Sequence, residues 1–593
     1  PVGGWYDKDD QLVPESEIFE RYRDEVVARS GVRFFHDDGP LHDGHTPEAA
    51  VVFLDRDITF TVDDEAEARS YADEDPQFSV ASQTAFGEWQ VTRKAGAQVR
   101  VPRRATLNRR IGGLFPTDFD PARWGVPASM LDSIDPIAVW NLVSAVDAFV
   151  SAGFSPAELL RFIHPADLAC TQGTGFGGMR SMHKLFVDRF LGEEYPQDIL
   201  QETLPNVVAA HTMQSYIGGY GSMINPVGAC ATAAVSIEEG VDKIAAHKAD
   251  FVVAGAIDDI QVESIVGFGS MNATANSQEL LDRGISPRFV SRANDRRRGG
   301  FVEAQGGGTV LLTRASVAVE MGLPVLAVVA HAQTFADGAH TSIPAPGLGA
   351  LAVARGGASS PLARSLAALG VGVDDVAFVS KHDTSTNAND PNESDLHTRV
   401  GRALGRSAGN PLLVVSQKTL TGHAKGGACV FQVGGIIDAF RSGVIPANIA
   451  LDCVDDKMEQ YSPLVWLRSP LDLSARGPVR AAFATSLGFG HVSGFLALVH
   501  PGAFEAVVER EAGSEALARW RSASDARLRA GSRHFEMGML GHAPLFEPVD
   551  ARRLPDDPAL GAAGDPHEVE AQMLLDPRAR LGADGYYHLP DQQ

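Results

Sequence analysis

One cysteine and two histidines stand in this sequence in settings where they could do covalent chemistry. The stretch Asn225-Pro-Val-Gly-Ala-Cys-Ala-Thr-Ala-Ala-Val235 leads small and apolar residues up to Cys230. Residues 231 to 247 are alanine-rich, with Val235, Ile237, Val241 and Ile244 at helical spacing. Cys230 therefore falls at a helix N-terminus, where free backbone N–H groups and the helix dipole favour a thiolate. Gly228, Ala229 and Ala231 leave room for a substrate. Taken alone, the segment reads equally as a buried structural cysteine. His382 and His423 follow two apolar strands, in loops rich in glycine and hydroxyl residues. Loops beyond strand carboxyl ends are where α/β proteins place their sites. A lone histidine there is more often structural, but two of them with Cys230 suit chemistry on a thioester. The thiolate can take an acyl group from a thioester and hold it covalently. Two imidazole N–H donors can polarise a second thioester carbonyl and stabilise the enolate left by decarboxylation. Backbone N–H groups supply an oxyanion hole, and no metal or electron-sink cofactor is required.

The elements that must position these residues alternate along the chain. Apolar strands are expected over 251–257, 309–313, 324–332, 376–380, 412–416 and 495–499. Helices are expected over 137–152 behind Pro136, over 179–190 and over 428–442. This alternation predicts an α/β protein with buried sheets. Gly173, Gly175 and Gly178 satisfy GxGxxG. A dinucleotide site would need a strand before them and an acidic residue closing the next strand. Polar residues 193–198 follow instead, so the glycines read as a tight turn that lets backbone pass close to the site.

The chain has 593 residues, 44% of them hydrophobic and 21% charged, enough for several domains or one large double core with extensions. No run approaches the length of a membrane span, and no signal peptide is visible. The chain starts at Pro1 and reads as a piece of a longer polypeptide. Cys170, Cys230, Cys429 and Cys453 are scattered without CxxC spacing, which predicts a reducing, cytoplasmic protein. A formal net charge of −24 argues against general nucleic-acid binding. Near the start, a helix is expected over 17–29 with Ser16 as N-cap, strands over 50–54 and 58–62, and a solvated acidic loop or helix over 63–75. From Val91 to Arg110 the balance turns basic, which places a domain boundary near residue 95. Residues 501–593 begin helical, over 503–529, then turn Pro- and Asp-rich, and read as a surface extension.

Four separate blocks resemble the β-ketoacyl-ACP synthases, condensing enzymes with the thiolase fold. They are Cys230 with its flanks, His382 in H-D-T-S-T followed by Asp390 and Glu393, Lys418 and His423 in K-T-L-T-G-H, and Gly488-Phe489-Gly490. The finer resemblance is to the ketosynthase region of type I fatty acid synthases of the fungal and actinobacterial kind. It is carried by G-T-G-F-G-G, D-I-L-Q-E-T-L, P-V-G-A-C-A-T-A, G-F-V-E-A-Q-G-G-G and T-S-T-N-A-N-D-P-N-E-S, and it covers roughly residues 98 to 500.

The resemblance implies a thiolase-like layered αβαβα fold made of two similar halves, 98–310 and 311–500, flanked by linking or assembly segments 1–97 and 501–593. It implies Cys230 as nucleophile and acyl carrier. His382 and His423 would bind the malonyl thioester and promote decarboxylation, with Lys418 supporting them and Glu393 as its ionic partner. Phe489 would gate the pocket, its N–H joining that of Cys230 in the oxyanion hole. Thr384 and Thr386 would contact the pantetheine arm. The implied reaction joins acyl-ACP and malonyl-ACP into 3-oxoacyl-ACP and carbon dioxide, the elongation step of fatty acid synthesis. Substrates arrive on the phosphopantetheine of an acyl carrier protein (ACP), and no cofactor or metal is bound by this region. Arg292 to Arg298 and Arg100 to Arg110 are the candidate docking patches for that acidic carrier. The other partners implied are further fatty acid synthase domains and a second copy, as a homodimer within a larger homo-oligomer. Asp383 replaces a usual glycine, Gln305 a usual glutamate and His491 a usual small residue. Thiolases would need a second cysteine in the late glycine loop, which reads G-F-G-H here, and the Cys-His-Asn condensing enzymes lack the second histidine. A polyketide-type ketosynthase shares the core triad. A non-catalytic scaffold or chain-length partner should have lost Cys230.

Overall fold

In a computed structural model of the chain, the described residues are 5–7, 11–35, 47–104, 107–116, 119–188, 195–339, 347–489, 491–549, 571, 573–585 and 587–588. Gly490, residues 340–346 and the Pro- and Asp-rich stretch 550–570 lie outside them, as do the side chains of Arg103 and Arg104. The chain divides into two compact units. One is Phe35–Arg110; the other joins Pro1–Phe34 to Ile111–Gln593. The basic turn in composition near residue 95 is therefore no boundary. It falls in the turn that joins the strands Trp89–Arg93 and Gln98–Arg104, and the second of these pairs antiparallel with Pro47–Phe53 inside the smaller unit.

The smaller unit also holds an antiparallel sheet of Ile58–Val62, Trp89–Arg93 and Ser79–Gln83, with Trp89–Arg93 in the middle. Its acidic run forms the helix Glu65–Glu74. Asp64 caps it, accepting from the Glu67 N–H at 2.9 Å, and Glu67 reaches back to the Asp63 N–H at 2.9 Å. Two acids thus sit at the positive end of the helix dipole, which accounts for an all-acidic start.

In the larger unit the first helix is Glu15–Arg29. It begins behind Pro14, so Ser16 lies within its first turn and is not the cap. Two sheets follow. Leu168–Cys170 pairs parallel with Phe251–Asp258, which pairs antiparallel with Gly306–Thr313. The second sheet has six strands in the order Val328–Ala336, Val492–Val499, Ala481–Gly488, Val376–Ser380, Leu412–Val415 and Leu464–Trp466. Every residue of Phe251–Asp258 is buried, as a strand covered on both faces requires.

Two helices fill the space between the sheets. Ala233, Ala234 and Ile237 of Thr232–Ala245 share one core with Cys429, Val433 and Ile436 of Ala428–Ser442. Val252 and Ala254 from the first sheet and Ala482 and Leu496 from the second close on the same core. Alanine suits this layer because the backbones come close: a Cβ on Gly494 would lie 2.6 Å from the Cβ of Ala234. Outside the first sheet, Leu142, Val146 and Phe149 of Pro136–Ala152 pack on Phe251. Outside the second, Leu366 of Pro361–Ala368 and Leu396 and Val400 of Asn389–Ala403 pack on Phe483 and Phe495. The order is helix, sheet, helix, sheet, helix.

The C-terminal segment is not a surface extension. Helix Ser514–Met539 buries Leu517 and Trp520 in the core of the first outer layer, and the Trp520 indole donates to the Leu323 carbonyl at 3.0 Å. A Cβ on Gly531 would lie 2.3 Å from the Val150 carbonyl oxygen, so this helix crosses Pro136–Ala152 in near backbone contact. Met573, Leu581 and Tyr587 join the same core. Charged residues on the exposed face of the helix hide this from a reading of composition.

Candidate active site

Cys230 lies in the short turn Ala229–Ala231 that opens directly into Thr232–Ala245. Ala229 takes φ +46, and the turn is tied down locally. The Gly228 N–H donates to Thr232 Oγ1 at 3.0 Å, and that hydroxyl donates to the Ala229 carbonyl at 2.7 Å. The strand Ala481–Gly488 ends against this turn. Ser486 Oγ donates to the Cys230 carbonyl at 2.8 Å, and a Cβ on Gly488 would lie 2.4 Å from the Gly228 carbonyl oxygen. Only glycine permits that approach. It leaves the Phe489 N–H donating to the cysteine sulphur.

His382 stands two residues past Val376–Ser380. Glu393, on helix Asn389–Ala403, accepts from the His382 N–H at 2.5 Å, the Asp383 N–H at 2.9 Å and the Thr485 hydroxyl. Lys418 Nζ lies 3.0 Å from His382 Nδ1 and also donates to the His382 carbonyl. With a protonated Lys418 donating to Nδ1, the ring proton sits on Nε2. His423 is held by its backbone: its N–H donates to the Val302 carbonyl at 2.7 Å and its carbonyl accepts from the Ala304 N–H at 3.0 Å. The two imidazoles meet edge to face, centroids 5.1 Å apart. The Cys230 sulphur and one ring nitrogen of each histidine all lie within 4.8 Å of one another.

Burial sets the electrostatics. It holds both histidines well below their ordinary range, reinforced by the charge of Lys418, so both imidazoles are neutral at neutral pH. Burial also lowers Lys418 to about 8, against the pull of Glu393 and Cys230. Glu393 is held far below the usual carboxylate range, because His397 and Lys381 outweigh the cost of its burial. The Cys230 thiol is pushed up to about 11 by burial, against Lys418 and the Phe489 N–H. This direction is opposite to the one that the helix terminus by itself favours. The resting site is a thiol beside two neutral imidazoles; both nitrogens of His382 are engaged, so His423 is the ring that can take the thiol proton as the sulphur attacks.

The structure brings Cys230, His382, His423, Lys418 and the Phe489 N–H together. Glu393 makes no ion pair with Lys418; its oxygens are spent on the backbone of the histidine loop and on Thr485. Thr384 and Thr386 face each other at 3.2 Å, and Thr386 also accepts from the Asn389 N–H at 3.1 Å. The proposed patch at Arg292 to Arg298 is largely consumed. Arg292 pairs with Asp295 and Asp452, Arg297 with Asp452, and Arg298 with Asp455, while Arg292 and Arg298 are buried. Of the other patch, Arg100 and Arg110 are exposed. Gln305 donates to Asp259 and accepts from the Phe115 N–H. His491 takes φ +69, a conformation suited to a small residue.

Several buried charges escaped the sequence reading. Asp258, at the end of its strand, accepts from the Gly175 and Phe176 N–H groups and Thr174 Oγ1, and from the Gly426 N–H at 2.6 Å. The N–H groups of the glycine turn, which a nucleotide phosphate would need, are spent on this carboxylate. Glu303 and Lys425 form a buried pair at 3.0 Å. Lys381 lies wholly buried beside the histidine loop. In each case the sequence offered only a charged residue next to a motif, G-A-I-D-D, G-F-V-E or G-H-A-K.

A family model described as "Beta-ketoacyl synthase, N-terminal domain" matches residues 80–318, and one described as "Beta-ketoacyl synthase, C-terminal domain" matches residues 326–452. "Fatty acid synthase 2" of Mycosarcoma maydis is 33% identical over 99% of this chain and 15% of its own length. "Fatty acid synthase alpha subunit pigJ" of Monascus ruber is 31% identical over 98% of this chain and 35% of its own. "Fatty acid synthase subunit alpha" of Saccharomyces cerevisiae is 29% identical over 98% and 35%. The chain thus spans about a third or less of these relatives. Among solved structures, the ketosynthase FabY from P. aeruginosa superposes with a TM-score of 0.79 at 22% identity, over 93% of this chain and 85% of that one. That likeness concerns the fold, a thiolase-like layered one. Matched through both domains of one family, over more than half of its length in total, the chain belongs to the β-ketoacyl synthase family.

Proposed function

We propose that this chain catalyses the decarboxylative condensation of a Cys230-bound acyl group with malonyl-ACP, the elongation step of fatty acid synthesis. The observation that carries the reading is the meeting of the Cys230 sulphur and two neutral imidazoles within 4.8 Å. In the first half-reaction the sulphur attacks the acyl thioester. A new S–C bond forms, the carrier's C–S bond breaks, and the thiol proton passes through an imidazole to the departing carrier thiol. The Phe489 and Cys230 N–H groups hold the oxyanion. In the second, the Nε2–H of His382 and a ring N–H of His423 bind the malonyl thioester oxygen. The C–CO2 bond breaks, its electron pair becomes the enolate, and the enolate carbon attacks the acyl carbon. The Cys230 sulphur leaves as a thiolate and takes a proton from water, the one proton that the overall condensation consumes. Lys418 fixes the His382 tautomer, Glu393 holds the loop, and Thr384 and Thr386 line the approach of the pantetheine arm. Substrates come on the phosphopantetheine of an ACP, and no metal or further cofactor is called for. The partners in this reading are that ACP, other fatty acid synthase domains and a second copy of the chain within a larger homo-oligomer, in the cytoplasm. It is compatible with the absence, among the described residues, of any helix long and apolar enough to cross a membrane.

The experiment is intact-protein mass spectrometry after incubation with an acyl-pantetheine thioester. The wild type should gain one acyl mass, Cys230→Ala none, a loss of roughly 10⁴-fold or more in rate. Malonyl-ACP should then discharge the adduct as a 3-oxoacyl thioester. An acyl gain that survives in Cys230→Ala would sink the assignment.

A further inference from the structure

Asp383, one residue after His382, has φ +33, a backbone conformation that favours glycine. An aspartate is nevertheless kept there, wholly buried. A strained, charged residue at such a place persists only where its side chain is needed. Its oxygens are used on three fronts. One lies 2.6 Å from the Nζ of Lys381, which is also wholly buried. The other accepts from Asn294 Nδ2 at 2.7 Å and from the hydroxyl of Ser416. Ser416 stands two residues before Lys418, at the end of Leu412–Val415, so the Asp383 carboxylate ties the His382 loop to the loop that carries Lys418 and His423. Lys381 completes the tie with Asn294 Oδ1 at 3.3 Å, the Asp390 carbonyl at 3.3 Å and Ser394 Oγ at 3.0 Å. Asn294 in turn donates its N–H to Asp390 Oδ2 at 2.8 Å.

We propose that Lys381 and Asp383 are a positioning pair that locks the two histidine loops to each other and so sets the geometry of the decarboxylation half-reaction. This rests on the reading of the site given above. Neither member belongs to the group of side chains that meet at the Cys230 sulphur. Asp383 is the carboxylate in direct contact with Lys381, with Glu393 and Asp390 acting from farther off, and a buried ion stripped of its contact partner is strongly disfavoured, whereas replacing both members is tolerated. Cys230 is held from the other side, by Thr232 and Ser486, and His423, which takes its proton, is held by the backbone of Val302 and Ala304, so acylation should depend on the pair far less than decarboxylation does.

The test is Asp383→Gly in the intact protein, with the two half-reactions read separately: acylation of Cys230 by mass spectrometry and carbon dioxide release from malonyl-pantetheine. Glycine relieves the backbone strain, so if the side chain merely occupied space both rates would hold or rise. The expected result is a fall of about 10²-fold in decarboxylation, the scale of a misplacement of about 1 Å, with acylation within about threefold of wild type. The double variant Lys381→Met/Asp383→Gly should recover about tenfold over the single one, since no charge is stranded. Decarboxylation that stays within about threefold in Asp383→Gly, or half-reactions that fall together, would overturn the proposal. Should Asp383→Gly fail to fold, Asp383→Asn removes the charge with the shape kept and must give the same split. A wild type that decarboxylates nothing would fail the reading of the site instead. The crystal structure of either variant still decides the pairing: the 5.1 Å spacing of the His382 and His423 rings must change when the carboxylate is lost.

Discussion

The two sides of the site are built from different materials. The Cys230 side is a turn of small residues fixed by backbone and hydroxyl hydrogen bonds, with Thr232, Ser486 and the glycine at 488 doing the holding. The histidine side stands on buried ions: Lys381, Asp383, Asp390, Glu393, Lys418 and Arg298. A nucleophile that must carry a succession of acyl groups needs open space and N–H donors around it. Two donors that must meet one enolate oxygen need fixed orientation and a fixed tautomer, which directional, charge-assisted bonds supply. The contrast teaches that neutral packing serves the covalent carrier and buried charge serves the orientation of the two imidazoles within one cavity.

Lys418→Met should expose the contrast most. Decarboxylation should fall about 10²- to 10³-fold and acylation by less than about tenfold, measured in the same two assays. The pH profile sharpens this. Lys418 loses its proton as pH rises through about 8, and with it the donor to His382 Nδ1, so wild-type decarboxylation should decline above that pH. The variant should lack that limb. For stability the sign is opposite. Between about 8 and 10.5 the folded state binds fewer protons than the unfolded one, so stability should rise with pH across that window and carry the full cost of the buried ammonium below it.

Glu393→Gln comes next. Two backbone N–H groups and Thr485 lose a charged acceptor, and denaturant unfolding should report a loss of about 2–3 kcal/mol. On the cysteine side, alkylation of Cys230 by iodoacetamide should keep accelerating beyond pH 9, because burial pushes its thiol up to about 11. A plateau near pH 7 would mean that the helix terminus outweighs burial after all. The smallest effect belongs to Ser486→Ala, about 1 kcal/mol of stability from one lost hydrogen bond, with decarboxylation unchanged.

Much of this was legible in the residues. Helical spacing placed Ala428–Ser442 and the apolar run placed Val376–Ser380 at their observed bounds, because both elements are buried and their patterns are unambiguous. Cys230, His382 and His423 could be read because each sits in a local block with chemistry of its own, whereas Lys418 and Phe489 came only through the resemblance of their blocks to the β-ketoacyl-ACP synthases. What was missed is tertiary. Glu303 and Lys425 are 122 positions apart, Asp258 and Gly426 are 168, and nothing local marks either as a partner of the other. The arginines of 292–298 looked like an exposed patch because composition cannot tell a surface cation from one folded over an acid such as Asp455. The C-terminal helix looked peripheral because its apolar stripe is narrow.

The antiparallel clasp of Gly31–Phe34 with Ile111–Leu114 has a consequence for how the chain can be edited. It closes the larger unit over a detour of the whole smaller unit, leaving at Phe34 and returning at Ile111, two residues paired directly across the ladder. Partners in such a pair stand about 5 Å apart, a gap that a two-residue turn can bridge. The detour is therefore a cassette. A short turn at that neck would join the same two strands directly, with a smaller entropy of loop closure than the detour carries.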